Sequence, residues 1–296
     1  MAIFTASRRA RGTMTEPSEA SGFVRPLALV TGASSGIGEA FARALAARGC
    51  DLALSARRVD RLEALAAELS ARHGVQAFAV PADLAVLDAH DGLLAAIAAR
   101  GRHVDILVNN AGFSIAQSFT DVPWSKQRDF LLTLVVNACG LAHAVIPGMA
   151  ARGQGRIVNI ASLAAFAPGV AGHTLYPGAK SLIVKLSQAL DAEYRAAGVK
   201  VTAVCPGFTL TEFAHANGTD KVMAEAPRRL FQTAAQVAEA GLKANDAGRV
   251  VVIPGWWNAL AVALMRLIPE GLVRAILMRG SAKYHLAADE SPFRSD

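Results

Sequence analysis

Tyr176 and Lys180 stand four residues apart, which places a phenol and an ammonium on one face of a helix. A phenol with an ordinary pKa of about 10 is a poor acid at neutral pH. A fixed cation beside it favours the phenolate and makes proton transfer from the hydroxyl feasible. Ser162 precedes the pair by a short loop and supplies a second hydroxyl to the same neighbourhood. Tyr-x-x-x-Lys alone is common. Its conjunction with this serine and with a glycine-rich turn far upstream is hard to obtain by accident.

That turn reads Thr31-Gly32-Ala33-Ser34-Ser35-Gly36-Ile37-Gly38 and lies between an apolar run and a helical pattern. Gly32 permits a tight turn, Gly36 lets backbone approach a pyrophosphate, and Gly38 lets helix and strand pack closely. Ser34, Ser35 and Ile37 belong to the same turn, where the amides and dipole of a helix N-terminus suit phosphate. After the second strand, a site for NAD carries a carboxylate for the ribose hydroxyls. Here that place reads Ser55-Ala56-Arg57-Arg58, with no acid. Two guanidiniums suit a 2′-phosphate, so NADP(H) is expected over NAD(H).

The elements that must position these groups alternate between short apolar runs and helical periods. Strands are expected at Leu27–Thr31, Leu52–Ser55, Ala77–Pro81, Ile106–Asn109, Arg156–Ala161, Lys200–Cys205 and Arg249–Ile253. Helices are expected at Gly36–Gly49, Arg61–Gly74, Asp91–Arg100, Trp124–Ala151, Tyr176–Ala197 and Ala234–Asn245. Repeated βα units with short connections imply right-handed crossovers and one doubly wound α/β domain, a seven-stranded parallel sheet with helices on both faces. A hydrophobic share of 53% fits a parallel sheet buried between helices.

The net charge of +6 reads either as a high arginine content without a partner or as attraction of an anionic cofactor or membrane surface. No basic run is interleaved with aromatics, which argues against nucleic acid. Cys50, Cys139 and Cys205 are odd in number and lack Cys-x-x-Cys spacing, so reduced core thiols and a cytoplasmic location are expected. The histidines show no zinc-type spacing, and no metal is expected. Residues 1–24, with Arg8, Arg9 and Arg11, read as a disordered tail without a secretory signal, and Met14 offers an alternative start. No transmembrane helix is expected before the C-terminal region.

Thr31–Gly38, Asp83-Leu84, Asn109-Asn110-Ala111-Gly112, Asn137, Ser162, Tyr176, Lys180 and Pro206-Gly207 together resemble the short-chain dehydrogenase/reductase family, over about Leu27 to Pro254. The resemblance implies a Rossmann-type catalytic domain over 25–255 and a C-terminal apolar helical extension and tail over 256–296. It implies that Asp83 and Leu84 meet the adenine, and that Asn110, Ala111, Gly112, Pro206 and Gly207 flank the cofactor. Thr209 and Thr211 would contact the nicotinamide amide or pyrophosphate. Asn137 would complete a tetrad with Ser162, Tyr176 and Lys180 and hold a water linking Lys180 to solvent. Lys180 would bond the nicotinamide ribose, and Tyr176 would give the proton while Ser162 fixes the same oxygen. A homodimer or homotetramer through Trp124–Ala151 and Tyr176–Ala197 is implied as well.

The resemblance also implies an NADP(H)-dependent oxidoreductase acting on a carbonyl or secondary alcohol. The stretch Val251–Gly280 looks like the subgroup of acyl-chain and steroid ketone reductases, and the segment Phe208–Thr233, with Phe213, Met223 and Phe231, would form a specificity lid over a hydrophobic substrate. Two departures stand out: the Ser162–Tyr176 interval is one residue longer than is common, and Pro177 follows the tyrosine, where the first helical turn tolerates it. The loop Pro168–Gly172 is expected to absorb the extra residue. Trp256–Arg279, divided by Pro269 and Gly271 and bearing Arg266, Arg274 and Arg279, leaves three readings open: packing on the domain or a second copy, a wall of the pocket, or peripheral contact with a membrane. A cofactor-binding regulatory or scaffold protein on the same fold is the alternative from another class, and an epimerase or dehydratase without net cofactor turnover is a third.

Overall fold

The computed structural model describes residues 24–172, 174–211 and 230–278. The expectations on Arg8, Arg9, Arg11, Met14, Phe213, Met223 and Arg279 lie outside the described residues.

Seven strands form one parallel sheet: β1 (Leu27–Thr31), β2 (Asp51–Ser55), β3 (Ala77–Ala79), β4 (Ile106–Asn109), β5 (Gly155–Ile160), β6 (Val199–Val204) and β9 (Val251–Val252), in the order β3-β2-β1-β4-β5-β6-β9. The order reverses direction between β1 and β4. A crevice opens there, beyond the carboxyl ends of the strands, where ligands of such sheets bind.

Strand periodicity builds the two faces. On β1, Ala28 and Val30 join Phe41 and Leu45 of α1 (Gly36–Ala47), Leu62 and Leu69 of α2 (Val59–His73), and Val237 and Leu242 of α7 (Ala234–Asp246). Leu27 and Leu29 point the other way, toward Leu93 and Ile97 of α3 (Ala89–Ala98) and Leu141, Ile146 and Met149 of α5 (Asn137–Ala151). Helix α6 (Tyr176–Tyr194) packs on β6 through Ile183 and Val184. Both faces are therefore covered, as a continuous apolar run such as Leu27–Val30 requires.

Helix boundaries fall close to the expected ones, shifted where caps decide. Helix α2 begins two residues early, at Val59, and stops at Gly74, whose φ of 63° terminates the helix in the left-handed conformation. Strand β3 ends before Pro81, which has no amide to give the ladder. The expected long helix Trp124–Ala151 is a helical run with an inserted wide turn: α4 (Trp124–Leu131), a π turn (Leu132–Val136) and then α5. The amide of Asn137 reaches back to the carbonyl of Leu132 to close that turn. By length and composition this run is apolar enough to cross a membrane, with a mean hydropathy of 1.9. That match rests on length and composition alone. Leu141, Ala142, Ile146 and Met149 of the run are buried against the sheet, as in a core helix.

One feature was not foreseen. Thr209–Leu210 (β7) pairs in parallel with Gln232–Thr233 (β8), forming a small separate ladder. The C-terminal extension folds as α8 (Trp256–Leu267) and a second helical stretch over 270–278. Pro269 separates them as expected, whereas Gly271 lies inside the second helix. The underside of α8 packs on the turn after β5, with the Arg266 guanidinium 5.3 Å from the Phe166 ring centre. Its outer row, Trp256, Leu260, Leu264 and Leu267, is exposed.

Candidate active site

The glycine turn leaves β1 and enters α1 at the switch point. Gly32 and Gly36 have φ of 65° and 62°, in the region where side chains are strained. A Cβ on Gly32 would stand 2.7 Å from the Asn110 amide nitrogen, and one on Gly36 would stand 3.2 Å from the Thr211 side chain. A Cβ on Gly38 would collide with the Gly32 carbonyl, so its close approach is to the turn itself. The Thr31 hydroxyl accepts the amides of Asn110 (2.9 Å) and Ala111 (3.1 Å) and donates to the Val108 carbonyl. The Asn110 side chain donates to the Thr31 carbonyl at 2.9 Å. Thr31 thus pins the Asn110–Gly112 stretch to the glycine turn. A Cβ on Gly112 would stand 3.2 Å from the Leu134 side chain, a tight contact.

Arg58 lies over the turn and donates to the hydroxyls of Ser34 (3.1 Å) and Ser35 (2.7 Å). Arg57 beside it is exposed. Leu84 is buried, and Asp83 is exposed and accepts the Ala85 amide at 3.0 Å. Ile37 packs partly buried on the core behind the turn. The Thr209 hydroxyl donates to the Gly207 carbonyl at 3.0 Å, so it is already engaged, whereas Thr211 sits against Gly36. Leu163 donates its amide to the Pro206 carbonyl at 3.0 Å, tying the Pro206-Gly207 corner to the serine turn. Gly207 faces Asn258 of α8, whose amide oxygen lies 2.6 Å from where a Cβ would be.

Ser162 ends the extension of β5 and caps a short 3-10 helix (Leu163–Phe166), its hydroxyl accepting the Ala164 amide at 3.1 Å. The same hydroxyl hydrogen-bonds the phenol of Tyr176, which opens α6 with Pro177 in its first turn. The longer loop between them turns at Gly172, with φ of 84°. One turn further along α6, buried Lys180 donates to the Ile160 carbonyl at 2.8 Å, and its nitrogen is 5.7 Å from the Tyr176 ring centre.

The electrostatics differ from the expectation that Lys180 acidifies the phenol. Burial raises the pKa of Tyr176, and the opposing influence is the hydrogen bond from Ser162. Burial also lowers Lys180, to about 8. Beneath them the Cys205 thiol is pushed up to about 12, again by burial. Spacing alone located the two side chains but not the Ile160 carbonyl that takes the ammonium's hydrogen bond.

Asn137 differs too. Its amide nitrogen donates to the carbonyls of Leu84 (2.9 Å) and Val86 (2.8 Å), and its oxygen accepts from the His90 amide (3.1 Å) and imidazole (2.9 Å). Both hydrogens and both lone pairs are used, so its side chain does not suit the water expected there. A hollow of about 10 Å³, the size of one water, lies instead beside Lys180, Thr31, Asn109 and Leu84. Sequence reasoning did not name His90, and it read Cys205 only as a core thiol and Asn258 only as a residue before the apolar C-terminal helix. Nothing in their local spacing marks them.

The short-chain dehydrogenase family model matches residues 26–222. The chain belongs to this family. It is therefore an oxidoreductase on a dinucleotide-binding fold. A short-chain dehydrogenase from Sphingobium yanoikuyae in complex with NADPH is 36% identical, with a TM-score of 0.70 over 82% of this chain and 94% of that one. The bulky-bulky ketone specific alcohol dehydrogenase from Comamonas testosteroni is 31% identical, with a TM-score of 0.66 over 83% of this chain and 95% of that one. The very-long-chain 3-oxoacyl-CoA reductase of Anas platyrhynchos is 31% identical over 258 residues, 85% of this chain and 78% of that protein.

Proposed function

We propose that the chain moves hydride between NADP(H) and a carbonyl or secondary alcohol of an apolar substrate, with the Tyr176 hydroxyl giving or taking the proton. The observation that carries this reading is the Ser162 hydroxyl acting on the Tyr176 phenol one helical turn from buried Lys180, at the carboxyl end of β5, where Lys180 and Thr31 of the glycine turn line one hollow.

The residues present fit the dinucleotide. Gly32, Gly36 and Gly38 leave no room for side chains in the turn. Arg57 and Arg58 follow β2 with no carboxylate, which suits a 2′-phosphate. The NADPH complex of the Sphingobium relative supports the same preference. Gly32–Gly38, Arg57 and Arg58 would hold the phosphates, Asp83 and Leu84 the adenine end, and Asn110–Gly112, Pro206, Gly207, Thr209 and Thr211 the nicotinamide end. NADP(H), when bound, supplies or takes up the hydride.

The chain's own groups handle the proton. A phenol raised by burial stays protonated at neutral pH, so its proton is present for a developing alkoxide, while the raised pKa makes it a weaker donor that depends on Ser162 and on local positive charge. Ser162 holds the oxygen that receives the proton. The Lys180 ammonium, oriented by the Ile160 carbonyl, supplies the local positive charge. Phe113, Phe130 and Tyr176 form an aromatic wall, with ring centres 5.6 and 6.4 Å apart. Ile115 and Leu175 continue it around a small hollow beside the phenol, which Gln117, Gln127 and Thr174 also line. These walls and the two named relatives that act on a bulky ketone and an acyl-CoA support an apolar ketone or acyl substrate.

Incubation with NADPH and ketones of graded size, followed by loss of reduced-nicotinamide absorbance, tests the reading. No oxidation with any ketone, aldehyde or acyl-thioester, with the cofactor nonetheless bound, would favour the regulatory or scaffold alternative. Self-association through α4–α5 and α6 is proposed with it, since Trp124, Val136 and Leu182 are exposed there. Light scattering of the purified protein checks it. The exposed row on α8 favours a further contact with a bilayer surface, read by pelleting with anionic vesicles.

A further inference from the structure

His90 opens α3 and is not among the groups the proposed chemistry uses. Its ring lies flat on α5 at Gly140: a Cβ there would stand 2.5 Å from two ring atoms, so glycine makes the seat. From that seat the imidazole Nδ1 lies 2.9 Å from the Asn137 amide oxygen, and the His90 backbone amide lies 3.1 Å from the same oxygen.

The orientation of the Asn137 amide follows from its other side. Its nitrogen faces two carbonyls, Leu84 at 2.9 Å and Val86 at 2.8 Å, so the nitrogen must be the donor and the oxygen must face His90. His90 Nδ1 then carries the proton, and the tautomer is set. Nε2 is 3.6 Å from the Asp91 carboxylate, beyond hydrogen-bond range. Asn137 is fully buried, and it sits where the π turn hands over to α5. The set Gly140, His90, Asn137, Leu84/Val86 therefore connects α5 to the loop after β3 by one ring-on-glycine contact and by hydrogen bonds at both ends of the Asn137 amide.

We propose that His90, seated on Gly140, is a positioning residue that orients the Asn137 amide and so fixes the Asp83–Val86 loop for the adenine end of the cofactor. The proposal rests on the NADP(H) reading above for its functional consequence, but the clamp itself is a property of the protein without ligand. Loss of the imidazole removes one of two donors to the Asn137 oxygen and empties the seat. The amide is then free to rotate and release the two carbonyls. The effect belongs to cofactor affinity and not to the chemical step, because neither His90 nor Gly140 approaches Tyr176 or Lys180.

The test uses His90→Ala, His90→Gln, which keeps a donor of similar reach, and Gly140→Ala, whose methyl displaces the ring while removing no polar group from the chain. Hydrogen exchange of the cofactor-free proteins reads the clamp, NADPH titration by tryptophan fluorescence reads affinity, and steady-state kinetics separates KM from kcat. His90→Ala and Gly140→Ala are expected to speed exchange at residues 84–90, weaken NADPH binding about tenfold, and keep kcat within about threefold. His90→Gln is expected to restore most of the affinity. Unchanged loop exchange in both weakened variants would overturn the clamp. Faster exchange with unchanged NADPH affinity would overturn its role toward the cofactor. An equal fall in kcat and affinity, tracking a lower melting temperature, would reduce His90 to general stability and overturn the proposal. If the unaltered protein binds no NADPH, the cofactor reading fails, and loop exchange still decides the clamp.

Discussion

The two sides of the crevice are completed to different degrees. Around the glycine turn and the loop after β3, polar groups find their partners within the chain: Thr31 takes two amides, Asn110 donates to a carbonyl of the glycine turn, and Asn137 uses its whole amide. On the proton-transfer side, Lys180 has been carried into the core with a carbonyl for company. The Asn109 amide oxygen nearby is buried with no hydrogen-bond partner. Matched groups make a rigid frame, whereas buried polar groups with few partners cost stability. The recognition side is built for rigidity, and the reacting side accepts an energetic cost to keep a phenol and an ammonium where chemistry needs them.

The comparison breaks most sharply at Tyr176. Tyr176→Phe is expected to cut kcat by about a thousandfold while NADPH affinity, measured by fluorescence titration, stays within about twofold. Retention of a tenth of the activity would remove the phenol from its role. Lys180→Met is expected to lower kcat about a hundredfold and yet raise the melting temperature at pH 7. A lysine held near pKa 8 when folded, against about 10.5 when unfolded, costs on the order of 3 kcal/mol. Leaving the Ile160 carbonyl unpaired takes back about 1 kcal/mol of that gain. The cost is present in full below pH about 8 and fades as pH rises toward 10.5, because there the unfolded chain binds the extra proton. Calorimetry across that window should show the gain of the variant shrinking. A melting temperature that drops at pH 7 would mean that Lys180 is well paid in contacts.

On the other side, Arg57→Ala/Arg58→Ala is expected to raise the KM for NADPH by about ten- to a hundredfold and to leave that for NADH nearly unchanged. Equal losses with both cofactors would show that the arginines support the turn and do not read the 2′-phosphate. The smallest effect is in the pH profile. Reductive kcat/KM should hold through neutrality and decline with a single proton above pH about 8, where Lys180 loses its charge. A profile flat to pH 10 would assign the ammonium no part in the reaction.

Much of this was legible in the chain because the constraints are local. Glycines at 32, 36 and 38 are dictated by backbone within one turn, and the Tyr176–Lys180 spacing is a property of a single helix. The strand and helix order followed from apolar periodicity, and Gly74 and Pro81 marked ends that a few residues decide. What escaped depends on groups brought together from far apart. His90 meets Asn137 across two helices, and Ile160 captures Lys180 from a different strand. The π turn at Leu132–Val136 answers to the packing of Asn137 and not to any breaker residue. The expected acidification of Tyr176 failed for the same reason: four-residue spacing fixes a face, whereas the direction of a long lysine side chain is set by whatever acceptor the fold provides.

The small ladder of β7 and β8 bears on how this scaffold diversifies. Thr209 pairs with Gln232 and Leu210 with Thr233, so two stretches distant in sequence stand on adjacent rungs. A segment whose two ends are held together in this way can change length cheaply, since each doubling adds only about 0.6 kcal/mol of closure entropy. Lengthening or shortening the sequence between those rungs should therefore leave the sheet beneath melting at nearly the same temperature.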